Sequence, residues 1–212
     1  ANMDTAVLAW LLRSGDDTIL VDTGFGSMDT EDLKGSFVRT PEHSLEAQLR
    51  RFDLAPEEVK LVVNTHLHVD HCGGNCFLPN ARFVAQRSEL EYALDPLPAH
   101  RPAYDVDLSS MKLDLLDGDT EITDGIRVIV TPGHSPGSQA VLVDTEGGLF
   151  VLAGDTIVHY VNMEVPKGES FLPSPLYVDL REFYASLDRL RDLGGTILPG
   201  HDSLVLKKTV YP

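Results

Sequence analysis

The chain has no apolar run of about 18 residues, so nothing in it reads as a membrane span. Positive charge is also scarce: 17 Lys and Arg stand against 33 Asp and Glu, a formal net charge of −16 over 212 residues. Such a surface repels phosphate backbones and offers no basic patch to an anionic bilayer. A nucleic-acid or membrane partner is therefore not expected, and the acidic shell reads as solvation. Cysteine is limited to Cys72 and Cys76, too few and too close for the disulfide framework of a small secreted domain. Their spacing leaves open a bridge, or a metal-binding thiol at Cys72 beside His71, but a small buried residue is the plainer reading of Cys72. No charged-then-apolar leader opens the chain, so a cytoplasmic protein is expected. The chain does open on Ala1 and reach an apolar strand almost at once, which leaves room for a preceding segment. Composition is ordinary, 42% hydrophobic with no low-complexity tract, and the length suits one domain over residues 1–212 with a core that needs no staples.

What is present is patterned. "AVLAWLLRSGDDTILVDTG" (6–24) and "QAVLVDTEGGLFVLAGDT" (139–156) each read as strand, polar-glycine turn and strand, ending in an aspartate near a glycine. Their strands are continuous apolar runs, which implies that both faces are covered. The echo across more than half the chain suggests two similar halves packed together. Further strands are expected at 60–64, 82–85, 127–131 and 196–198. Helices are expected in "HSLEAQLRRF", in "SELEYAL" and above all in "DLREFYASLDRLRDLG". In this last segment Asp179 and Glu182 form a capping box, Leu180, Phe183, Tyr184, Leu187 and Leu190 make an apolar stripe, and Gly194 ends the helix.

The metal-competent side chains follow strands. "KLVVN" leads into His66, "IRVIVTPG" into His134, "LFVLAG" into Asp155 and "TILPG" into His201. A site built along one rim of the sheets would have this grammar, because strand ends are rigid and the loops beyond them are open. The densest cluster is "HLHVDH", residues 66–71, with three histidines and an aspartate before a glycine pair. His66 and His68 project to one side of an extended segment, and Asp70 and His71 follow as the chain turns. Neutral imidazoles suit zinc and similar ions, carboxylates can bridge two ions, and three histidines can hold one metal with a position left open.

These motifs, together with "PGHSPG" around His134, "AGD" ending at Asp155, "PGH" ending at His201 and "VDTG" at 21–24, resemble the metallo-β-lactamase superfamily. The resemblance implies an α/β fold, an αβ/βα sandwich of two mixed sheets flanked by helices, with two metals at one edge. It implies His66, His68 and His134 as ligands of one ion, Asp70, His71 and His201 as ligands of the other, and Asp155 bridging. It also implies that Asp22 orients ligands, although a strand-end turn former would explain Asp22 equally well. "HVDHCGGN", "PLYVDLREFYASLDRL" and "LPGHD" look most like the N-acyl homoserine lactonase family. That family carries a tyrosine soon after the bridging aspartate. Here "GDTIVHY" has Val158 at that place and Tyr160 two residues later.

The activity so implied is a metal-dependent hydrolase that opens a lactone ring with a hydroxide generated at a two-ion site, Asp70 passing the proton and Tyr160 assisting the substrate carbonyl. Zinc is the expected metal, with iron, manganese or cobalt accepted by the same donors. The substrate is expected to be a small lactone with an apolar chain. Phe25, Met28, Phe37, Tyr160, Met163, Phe171, Leu172 and Tyr177 are candidates for lining its pocket or for ordinary core. The oligomeric state stays open, a homodimer among the options. The alternatives are a β-lactamase-like, thioesterase-like or phosphotriesterase-like hydrolase on the same scaffold, or a metal-binding protein without turnover. A nuclease is disfavoured by the acidic surface, and an iron redox protein by the intact His68.

Overall fold

A computed structural model describes residues 5–15, 17–26 and 38–212. Its strands form two five-stranded sheets, one from each half of the chain. The first sheet runs β1 (Trp10–Ser14), β2 (Asp17–Val21), β3 (Leu61–Val63), β4 (Arg82–Gln86) and β5 (Leu113–Leu116) in spatial order. β1 and β2 pair antiparallel, and the remaining neighbours pair parallel. The second sheet contains β6 (Thr120–Thr123), β7 (Ile126–Val130), β8 (Gln139–Thr145), β9 (Gly148–Leu152) and β10 (Thr196–Leu198), in the order β10-β9-β8-β7-β6. Only β10 and β9 pair parallel within it. Both expected hairpins are present, with Ser14 opposite Asp17 and Thr145 opposite Gly148. Asp16, in the first turn, lies outside the described residues.

The alternation of strand side chains builds three layers of packing. Ile19, Val21, Val63 and Val84 from the first sheet meet Ile126, Val128, Val141, Leu152 and Leu198 from the second, forming the core between the sheets. The residues between them in sequence point outward. Leu20, Val62 and Phe83 pack under helix α1 (Leu45–Arg50), which contributes Leu45 and Leu49. Ile129, Ala140, Leu142 and Val151 pack under the long helix α4 (Leu180–Asp192), which contributes Phe183, Leu187 and Leu190. Between these lie the short α2 (Val69–Cys72) and α3 (Arg87–Leu94). Leu67, Cys72, Ala85, Ala93 and Tyr104 make a fourth cluster there. The result is the αβ/βα sandwich that the sequence implied, and no helix among the described residues is long and apolar enough to cross a membrane.

The structure refines several expectations. Asp179 caps α4 by accepting from the N–H groups of Arg181 and Glu182, and Gly194 follows with φ 73°. The apolar stripe is narrower than expected: Leu180 and Tyr184 are 40% and 38% exposed, whereas Phe183, Leu187 and Leu190 are fully buried. Leu180 sits in the first turn, and Tyr184 stands one residue, about 100° of helix, off the buried line. Cys72 and Cys76 are both free. Cys72 is a core residue whose thiol burial pushes well up, with Asp22 and Glu89 adding to the effect. β5 and β6 were not anticipated. Each is one of the two edge strands of its sheet, half-buried and interrupted by charge, as edge strands commonly are.

Phe183 is where α4 meets the loop that carries His134. A Cβ on Gly133 would collide with the Phe183 backbone, so only glycine permits this approach. Phe183→Ala is expected to cost about 3–5 kcal/mol in urea unfolding, while Tyr184→Ala beside it should change stability by no more than about 0.5 kcal/mol. Equal effects at the two positions would contradict the assignment of the buried face.

Candidate metal centre

Four strand ends deliver the polar side chains to one rim. β3 ends at Val63 and is followed by Asn64, Thr65 and His66; His68 then caps α2, which carries Asp70 and His71. β7 leads to His134, β9 to Asp155 in a short 3-10 turn (Gly154–Thr156), and β10 to His201. All five histidines are buried. The seven residues singled out in the sequence fall into three overlapping groups that could each hold a metal ion: His66, His68 and His134; His66, His71 and Asp155; Asp70, His71 and His201.

The distances are those of donors around a small cation. Ligands about 2.1 Å from an ion at tetrahedral angles stand about 3.4 Å apart. His134 Nε2 lies 3.1 Å from His68 Nδ1, and His71 Nε2 lies 3.1 Å from His201 Nε2. Asp70 Oδ2 is 3.5 Å from His201 Nε2 and 3.8 Å from His71 Nε2. Asp155 faces both ways. Its Oδ1 is 3.2 Å from His71 Nε2 and 3.0 Å from His201 Nε2, and its Oδ2 is 3.5 Å from His134 Nε2.

Whether these residues fit an ion is tested by the atoms left over. His66 Nε2 and Asp155 Oδ1 are buried and have no hydrogen-bond partner among the described residues. Two histidine nitrogens lie within 3.2 Å of that oxygen without meeting it in hydrogen-bond geometry. Buried polar atoms are rarely left so, and a divalent cation among them is the group that this donor set satisfies. The residues fit a divalent metal.

The opposite edges of the rings are fixed. Asp22 accepts from His71 Nδ1 at 2.8 Å, and from the Thr65 N–H and hydroxyl at 2.7 Å each. The Thr65 oxygen in turn accepts from His66 Nδ1 at 3.2 Å. His134 Nδ1 donates to the Leu176 carbonyl at 2.9 Å, and His201 Nδ1 to the Ala6 carbonyl at 2.7 Å. In four of the five histidines Nε2 is thereby left to face the group, while His68 presents Nδ1. Asp22 also has φ 58°, a conformation that aspartate tolerates better than most residues. It is thus both the turn residue and the orienting carboxylate, the two roles its sequence left open.

Charge in the metal-free cluster is uneven. Burial drives His66 well below its ordinary value, with His71, His68 and His134 adding repulsion. Burial, then His134, brings His68 to about 2. Burial, the largest single influence, would also depress His71 and His201, but the carboxylates around them, Asp155 foremost, together outweigh it. His71 is held well above the usual histidine range, with Asp70 and Asp22 assisting, and His201 is raised. Burial opposes ionisation of Asp155, yet His201, His71 and His134 hold its carboxyl well below the usual range.

Other candidates are placed less centrally. The Tyr160 N–H donates to Asp202 Oδ2 at 2.9 Å, and burial, with Tyr211 and Asp202 nearby, raises its phenol. Met163 and Phe171 pack against the core under α4, so they are structural. Leu172 and Tyr177 are exposed, as is Leu176 between them. Met28 and Phe37 lie outside the described residues. Sequence reading missed Thr65, Asn64 and Asn75, the last two exchanging a side-chain hydrogen bond of 2.8 Å beneath the cluster. Their position beside the histidine string was the one available signal.

Comparison with known proteins agrees with this geometry. The sequence model of the Metallo-beta-lactamase superfamily matches residues 3–201. An N-acyl homoserine lactonase of Bacillus cereus is 33% identical over 175 residues, 76% of this chain and 68% of the relative. A second, from Rhizobium radiobacter, is 33% identical over 172 residues, 73% of this chain and 62% of the relative. The chain thus spans about two thirds of the length of these curated relatives. A solved N-acyl homoserine lactone hydrolase, with the product N-hexanoyl-L-homoserine at its catalytic metal centre, superposes with a TM-score of 0.80 at 29% identity. That match covers 98% of this chain and 86% of the other. With its sheet order, its rim of strand-end histidines and these matches together, the chain belongs to the metallo-beta-lactamase superfamily.

Proposed function

We propose that residues 1–212 form one metal-dependent hydrolase domain that opens the ring of an N-acyl homoserine lactone or a similar lactone. The observation that carries it is the division of Asp155, one oxygen toward His71 and His201 and the other toward His134. A carboxylate so placed is suited to stand between two cations. His66, His68 and His134 would then hold one ion, and Asp70, His71 and His201 the other. The lactone is taken from relatives bearing that activity in their names. Two divalent ions, zinc foremost and iron, manganese or cobalt as alternatives, supply Lewis acidity toward a carbonyl and a water that ionises near neutral pH.

The remaining work falls to the chain. Asp70 is the most open of the seven, its side chain 25% exposed, and its Oδ2 faces His71 and His201. With that oxygen turned to the ion, the other carboxylate oxygen of Asp70 is left to take a proton and return it to the ring oxygen as the bond opens. The tether of a lactone suits this, since the departing oxygen stays in the site and needs only charge stabilisation and a proton. Tyr160, raised above its ordinary value, stays protonated at neutral pH and is assigned as hydrogen-bond donor to the substrate carbonyl. Leu176, whose carbonyl fixes His134, is exposed together with Tyr177 and Leu172, and these side chains offer a surface to an apolar acyl chain.

Metal analysis should find two ions per chain, and His68→Ala should lose lactone hydrolysis by at least ~100-fold; unchanged turnover in that variant rejects the assignment. A panel of γ-lactones with graded acyl chains, run beside a β-lactam, a thioester and a phosphotriester, should show turnover of the lactones. Turnover of the phosphotriester alone would remove the lactonase assignment and leave the metal assignment standing.

Protonation gives a separate check. His71 and His201 carry raised values in the metal-free cluster and must shed their protons to ligate, whereas His66 and His68 are already neutral. Metal loading in weak buffer at about pH 6.5 is expected to release protons, read with an indicator dye, and affinity should weaken as pH falls. Loading without proton release contradicts the charge distribution. Tyr160→Phe is expected to lower kcat about 10-fold or more at unchanged metal content. An unchanged kcat and KM would take Tyr160 out of the site.

A further inference from the structure

Glu89 lies in α3 and is fully buried, although in "SELEYAL" it reads as the solvated charge of a short helix. Its carboxylate is surrounded by four donors. Oε1 accepts from the Leu67 N–H and the Tyr104 hydroxyl, both at 3.0 Å. Oε2 accepts from the Ser135 hydroxyl at 2.6 Å and the Gly137 N–H at 3.0 Å. Three of the four donors adjoin a histidine of the same group, and the fourth, Gly137, lies on the loop that follows His134. Leu67 stands between His66 and His68. The Tyr104 ring packs edge-on against His68, their centroids 4.6 Å apart. Ser135 follows His134, and its own N–H is held by the Ser138 hydroxyl at 3.2 Å. A Cβ on Gly137 would run into the backbone of Glu89, so the loop after His134 reaches this close only through glycine.

We propose that Glu89 is a positioning residue that ties the loop bearing His66 and His68 to the loop bearing His134, and so sets one of the two metal sites. His71 and His201 are oriented from elsewhere, by Asp22 and the Ala6 carbonyl. Glu89 therefore acts on one ion and not on the other. Glutamine is close in shape but fails chemically. Its amide supplies one acceptor and one donor, and the donor end must face either the Leu67 or the Gly137 N–H. The hydroxyls of Tyr104 and Ser135 can turn round; a backbone N–H cannot.

The test rests on the two-ion reading above and is arranged to separate the two. Wild type and Glu89→Gln are loaded with zinc and dialysed against graded chelator, and ions per chain are counted at each step, with the melting temperature of the stripped proteins measured alongside. Glu89→Gln should release one of its two ions at about 10- to 100-fold lower chelator concentration than wild type, and the other at the wild-type concentration. Release of both ions as in wild type overturns the proposal. So does an equal shift of both together with a lower melting temperature, the mark of a merely structural role. A wild type that holds no zinc would instead fail the metal assignment itself. Should Glu89→Gln not fold, Ser135→Ala removes one donor and leaves three. It should show the same one-ion shift at smaller size, and wild-type release of both ions from it would likewise count against Glu89.

Discussion

The shared carboxylate of Asp155 sets the terms for everything around it. It is largely buried among five histidine rings, and its charge favours the protonated forms of His71 and His201 while burial favours the neutral forms of His66 and His68. Neutral and charged imidazoles so close together are a poor way to fill a protein interior, because buried polar atoms cost free energy unless they are paired. Among the described residues the pairing is incomplete: one nitrogen and one oxygen are left over at the centre. A scaffold that keeps such a cluster intact must brace it from outside, and the braces are specific. Asp22 with Thr65, the carbonyls of Leu176 and Ala6, and Glu89 each reach the cluster from a different direction.

The sandwich makes this bracing feasible. Inward-facing residues of both sheets, Val21 and Val63 from one and Val128 and Leu152 from the other, lock the sheets face to face. The ends of β3, β7, β9 and β10 are then fixed relative to one another, although they are far apart in the chain. Helix α4 adds to the rigidity through Phe183, against whose backbone the loop before His134 is pressed. Chemistry that needs donors placed to a few tenths of an ångström is thus carried on strand termini, and the longer connections are left free to vary.

Much of this was legible in the sequence. Continuous apolar runs ending in a small residue gave the position of each strand end, and the histidine-rich hexapeptide gave the chemistry. β10 falls at 196–198 as expected, and β3, β4 and β7 within a residue or two. The seven metal-competent residues lie together. The features that escaped share a physical cause: their meaning depends on partners distant in sequence. Glu89 sits in a polar helix pattern, and nothing local marks it as buried beneath four donors. Leu180 and Tyr184 have the right chemistry for the apolar stripe, yet the packed face of α4 is narrower than hydrophobicity alone implies. β5 and β6 carry charges because they are edges, and charge weakens the strand signal that edges would otherwise give.

Ala6 and His201 hold each other by two bonds, the Ala6 N–H donating to the His201 carbonyl at 2.9 Å and His201 Nδ1 donating to the Ala6 carbonyl at 2.7 Å. A segment 195 residues away in the chain thereby steadies the last of the clustered donors. A nascent chain leaving the ribosome can assemble the β1–β5 sheet before residue 201 is made, but it has no complete donor set until that residue has emerged and the segment around Ala6 has paired with it. Completion of the donor set is in this way deferred until all four strand ends have been made and joined.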